Sequence, residues 1–212
     1  MANSLRDRIA GMPIYPDMEG KVAFITGGSR GIGLATAGAF ARQGVKVVIA
    51  SRREATAKTA LKQLSTLGDV QWLSVDAADG KSVARLMDSI MNKHGRLDYA
   101  FNNGGSGGRL APVAKMTEEA WRKTIDGYLT SVFLCMNAEI AAMKEHSTSV
   151  IVNNASVDGL RGYPFAGGAA YSERSMGSSV SLVVPHLSML PRDLAFARSP
   201  QVGSTRHRSR IG

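Results

Sequence analysis

Up to Tyr171 the chain alternates short apolar runs with longer segments whose apolar positions recur about one helical turn apart. The runs cover residues 22–26, 45–50, 70–75, 97–102 and 150–153. Most are rich in Val, Ile or Phe and close on small or polar residues, as strands buried on both faces do. Between them, residues 33–43 carry Leu34, Ala37 and Ala41, residues 54–67 carry Leu61, Leu64 and Leu67, and residues 81–94 carry Val83, Leu86, Ile90 and Met91. The longest helical segment is predicted over 117–144, with Trp121, Ile125, Leu129, Phe133, Met136 and Ile140 on one face. Thr117, followed by Glu118 and Glu119, offers it a cap and an acidic first turn. Strand–helix alternation with short links predicts an α/β fold, a parallel sheet covered by helices on both faces.

After Ser172 the rhythm stops. Residues 173–212 hold eight serines and six arginines, and Pro185 and Pro191 interrupt any helix attempted there. The expected organisation is an N-terminal extension over 1–19, one α/β domain over 20–172 and an irregular or disordered tail over 173–212.

The net charge of +9 raises the question of a nucleic-acid or membrane partner. It is not laid out as one basic stripe, because residues 172–212 alone supply +4 of it. No nucleic-acid-binding motif accompanies it, so no nucleic-acid partner is expected. No apolar stretch is long enough to span a membrane, and residues 1–20 do not read as a signal peptide. A lone cysteine, Cys135, excludes an internal disulfide and fits a reducing, cytoplasmic setting. No metal site is expected.

The strongest motif is Thr26-Gly27-Gly28-Ser29-Arg30-Gly31-Ile32-Gly33, which follows a predicted strand and opens a predicted helix. Glycines there let the backbone turn tightly and approach a diphosphate, which the N–H groups of the helix then hold. By itself such a run is also what a tight strand–helix turn requires. More polar residues mark later strand ends: Asp76, then Asn102-Asn103-Gly104-Gly105, then Asn153-Asn154-Ala155-Ser156-Val157-Asp158-Gly159, with Tyr171 following.

These motifs, in this order over residues 18–172, resemble the short-chain dehydrogenase/reductase family of classical type. The resemblance implies a Rossmann-like doubly wound sheet and a nicotinamide dinucleotide cofactor bound by Gly27, Ser29, Arg30, Gly31, Ile32, Gly33, Ser51, Arg52, Asp76 and Asn103. It also implies interconversion of a small-molecule carbonyl and alcohol, with Tyr171 as acid/base and Ser156 orienting the substrate, in a homo-oligomer. Relatives that use NAD carry an Asp at the end of the second strand. Here Ser51 stands there, followed by Arg52 and Arg53. Loss of the acid removes repulsion of a 2′-phosphate and a guanidinium can bind one, so NADP is favoured over NAD. The alternative is that Arg52 and Arg53 simply start a solvated helix.

Two positions depart from the family pattern. Tyr128 stands where the family has an Asn that supports a proton relay, and Ser175 stands four residues after Tyr171, where it has a Lys. Without that ammonium a tyrosine keeps a pKa near ~10. A reading-frame slip explains the change. With suitable codons, restoring one base near codon 173 converts the text after Tyr171 to Ser-Glu-Ala-Lys-His-Gly, with Lys in the required place. The expectation is therefore a sheet left incomplete at its C-terminal side, with an exposed edge, impaired assembly and impaired turnover. A non-catalytic dinucleotide-binding remnant is the alternative.

Overall fold

The computed structural model describes residues 4–105, 112–145, 148–156 and 182–183. Five parallel strands, β1 (Val22–Thr26), β2 (Lys46–Ser51), β3 (Val70–Ser74), β4 (Tyr99–Asn102) and β5 (Val150–Asn153), stand in the order β3-β2-β1-β4-β5. The chain winds outward from β1 to β3, then returns to β4 on the other side of β1. Such a reversal opens a crevice at the carboxyl ends of β1 and β4, the usual ligand position in open α/β sheets.

The apolar runs are continuous because each strand feeds two cores. Val22 and Phe24 of β1, with Val48 and Ala50 of β2, pack on one face beneath α4 (Gly80–His94) and α6 (Ser131–Met143). Ala23 and Ile25, with Val47 and Ile49, pack on the other beneath α1 (Leu5–Ile9), α2 (Gly31–Arg42) and α3 (Glu54–Leu64). The split follows from the two-residue period of a strand. At the far end of the sheet, buried Asp98 accepts hydrogen bonds from Val22 N (2.9 Å) and from Arg96 Nε and Nη2 (2.8 and 2.6 Å). Burial alone would raise that carboxyl's pKa, but these bonds outweigh it and hold it below the usual value.

Four features add to or change the expectations. First, the N-terminal extension packs against the domain. Ser4 caps α1 in a reciprocal capping box with Asp7, and Leu5 and Ile9 are buried against the domain. Arg42 donates to Ala10 O and Met12 O, and Gln43 donates to Pro13 O and accepts from Tyr15 N, which straps residues 10–15 down. Second, the long helix is three pieces: α5 (Glu118–Ile125), a π-helical turn (Asp126–Thr130) and α6. The wider turn shifts the helical phase. The buried stripe is therefore Thr124, Ser131, Cys135, Glu139 and Met143, while Trp121 and Phe133, predicted to share the apolar face, are exposed.

Third, the β5 edge is not bare: β6 (Leu182–Val183), from the segment expected to be irregular, pairs with it antiparallel, Ile151 opposite Val183. The sheet is therefore not wholly parallel. Fourth, β2 and β4 begin at Lys46 and Tyr99, one and two residues later than the apolar pattern placed them. Among the described residues no helix is long and apolar enough to cross a membrane.

Candidate functional site

The glycine-rich turn is built by close approach. Gly27 and Gly31 take φ of 65° and 55°, a region that glycine enters without steric cost. Gly33, buried at the start of α2, leaves no room for a Cβ, which would lie 2.4 Å from Gly27 O and 2.7 Å from Asn103 Nδ2. Arg30 is the N-cap residue of α2 but makes no side-chain cap bond. The first-turn N–H groups are thus left for an anion, with the positive end of the helix dipole behind them. Ile32, 62% exposed beside this turn, is an apolar side chain in need of a cover.

A cavity of about 990 Å³ opens over this turn. Its lining includes Gly27, Ser29, Arg30, Gly31, Ile32, Ser51, Arg52, Asp76 and Asn103, nine of the ten positions expected to meet a cofactor; buried Gly33 packs behind the turn instead. Arg30, Arg52 and Arg53 all face it, and none of the three makes an ion pair among the described residues. Ser51 Oγ is already engaged, accepting from Trp72 Nε1 at 3.1 Å. Asp76 Oδ1 accepts from Ala78 N at 3.2 Å and shapes the loop after β3. An uncapped helix, a glycine cradle and unpaired guanidinium groups fit an elongated anionic dinucleotide, and the volume is of the size that encloses such ligands.

The sequence reading missed part of this wall. Thr26 Oγ1 accepts from Asn103 N (3.0 Å) and Gly104 N (2.8 Å), stitching the end of β4 to the end of β1. Its place beside the first glycine was the available cue. Glu118, Glu119, Arg122, Lys123 and Asp126 of α5 and the π turn form the opposite side. Nothing local to that stretch could have shown it facing the crevice.

Ser156 lies three residues beyond β5, half-buried. Tyr171 and Ser175 lie outside the described residues. Tyr128, in the π turn, packs its ring against Gly105, where a Cβ would come within 1.9 Å of Tyr128 Cε1.

The chain matches the family model described as short chain dehydrogenase over residues 21–173. It belongs to the short-chain dehydrogenase family. That match ends where the texture of the sequence changes. Among curated members, the chain is 34% identical over 152 residues to a 3beta-hydroxysteroid dehydrogenase of Mediterraneibacter gnavus, covering 71% of this chain and 54% of that protein. It is 36% identical over 159 residues to a 3-oxoacyl-(acyl-carrier-protein) reductase of Synechocystis, covering 74% and 63% respectively. The chain thus spans between 54% and 63% of the length of these two relatives. A metagenomic short-chain oxidoreductase solved in complex with NADP superposes with a TM-score of 0.70 at 29% identity, over 76% of this chain and 72% of that one. The family is one of oxidoreductases, and its fold here is Rossmann-like.

Proposed function

We propose that this short-chain dehydrogenase binds NADP(H) across the carboxyl ends of β1 and β4 and belongs to an enzyme that interconverts a carbonyl and an alcohol. The observation that carries the reading is the start of α2, without a side-chain cap, beside Arg30, Arg52 and Arg53, which make no ion pair among the described residues. The amides of the turn would hold the diphosphate, Ile32 would cover the adjoining apolar surface, and Arg52 with Arg30 would bind the 2′-phosphate. The missing acid at Ser51 removes the group that would repel it. Bound cofactor would supply the hydride to the substrate carbon.

Ser156 would orient the substrate oxygen and Tyr171 would donate or accept its proton. The NADP complex of a related oxidoreductase supports the cofactor, and the names of the curated relatives support the reaction class. Proton transfer is the impaired step. With Ser175 four residues after Tyr171, no ammonium at that place lowers the phenol's pKa, and Tyr128 replaces the relay asparagine.

The test is calorimetry of the full chain with NADPH and NADH. NADPH should bind more tightly, and Arg52→Ala should cost about 1.5–3 kcal/mol, roughly 10–150-fold, for NADPH but little for NADH. Equal loss for both cofactors, or no binding of either, removes the reading.

A further inference from the structure

Glu139 is a carboxyl group in the middle of a core. It sits on the buried stripe of α6 with no exposed surface, between Cys135 and Met143. It is not among the residues that line the dinucleotide cavity. Its Oε2 accepts from Asn102 Nδ2 at 2.9 Å, and the second hydrogen of that amide goes to Asn153 Oδ1 at 3.0 Å. One side chain on α6 thereby reaches the last residues of both β4 and β5.

The lattice continues toward the site. Asn102 O accepts from Asn154 N at 2.8 Å, Asn154 Nδ2 donates to Asn103 Oδ1 at 2.9 Å, and the Asn103 and Gly104 amides donate to Thr26 Oγ1. We propose that Glu139 is a positioning residue, which through Asn102 fixes the ends of β4 and β5 against each other and so sets the spacing between the cofactor-facing Asn103–Gly104 backbone and Ser156. The link to cofactor rests on the dinucleotide reading above; the tie between the strands does not.

Hydrogen-bond accounting shows the form in which Glu139 works. Both hydrogens of Asn102 Nδ2 are used, while Asn102 Oδ1 and Glu139 Oε1 are buried acceptors with no partner among the described residues. A carboxylate would add a charge to a cluster already short of donors, whereas the neutral acid supplies one more O–H. Among the described residues no cation offsets a charge there. On α6 the only other titratable group is the Cys135 thiol, itself pushed up by burial and by Glu139. Helix α4 turns Val83, Leu86, Met87 and Ile90 inward and leaves Lys81, Arg85 and Asp88 exposed. Strand β4 contributes Tyr99, which packs in the core on the opposite face, and β5 has no titratable residue. In the π turn, Asp126 bonds Thr130 and Tyr128 lies over Gly105. Burial, offset in part by the Asn102 bond, pushes the Glu139 pKa up to about 8.

The experiment is amide exchange on the full chain without cofactor, read as protection of Asn103, Gly104 and Asn154 relative to Phe24 and Val48, from about pH 6 to about pH 10. Protection at the three amides should fall roughly three- to tenfold as Glu139 ionises. Glu139→Gln should keep the low-pH protection and abolish the step, and Glu139→Leu should lower protection at every pH. An infrared band of a protonated carboxyl, present near neutrality and titrating over the same range, checks the wild type if either variant fails to fold. A flat pH profile, full protection in Glu139→Leu, or no such band overturns the proposal. NADPH titration of the same samples separates the two readings. Failure of the wild type to bind sinks the dinucleotide site, while exchange and infrared still decide Glu139.

Discussion

Single atoms decide whether the glycine turn can exist. At Gly33 a methyl group would meet backbone oxygen and a side-chain amide at once, and neither can move without unpicking the β1–β4 seam. Gly33→Ala should therefore cost about 1–3 kcal/mol of stability by overpacking and weaken NADPH binding, as read by thermal melting and calorimetry. Gly31 is different: its surroundings are open, and only its φ of 55° favours glycine. The sequence named both positions, because a glycine run between strand and helix carries its own explanation. It could not separate the one that needs space from the one that needs a backbone angle. Nor could it show that Thr26 is the acceptor for two amides just past β4, more than seventy residues away.

At the scale of elements, strands and the helices over them were legible from period alone, since burial on both faces writes unbroken apolar runs. Strand β6 apart, two elements were not. Helix α1 has only five residues, too few for a periodic signal, and its stability comes from the capping box and from Leu5 packed against Gly38. Leu5→Ala should cost about 2–4 kcal/mol of stability yet leave NADPH affinity at the α2 turn unchanged, measured by denaturant unfolding and calorimetry together. Loss of both would mean that α1 also shapes the cofactor turn. The second miss, the face of α6, arose because a π turn advances the phase without changing composition. The stripe it buries is Ser131, Cys135, Glu139 and Met143, a set that a hydrophobicity pattern reads as mixed.

For the molecule as a whole, reversal of strand order between β1 and β4 creates a crevice that gathers residues as far apart in the chain as Thr26 and Ser131. The proposed function puts the defect in turnover among the residues beyond Tyr171. Ser175→Lys should raise NADPH-dependent carbonyl reduction by roughly 100-fold or more, the scale of a correctly poised acid/base, with the cofactor Kd changed far less. An unchanged rate would place the defect elsewhere in residues 173–212 or in Tyr128. The end of the family match at residue 173 and the sequence departure at Ser175 converge on the same short stretch.

The sequence alone determined the α/β class, the five parallel strands with helices between them, the glycine-rich turn and the absence of an acid at Ser51. Each is a local statement about period, glycine or charge, and local statements survive folding. Only the tertiary structure decided that Thr26 joins β1 to β4, that α5 faces the crevice, that β6 covers the edge of β5, and that Glu139 lies fully buried on Asn102. Those depend on which distant segments share a space, and no periodicity along one segment encodes the neighbours it will meet.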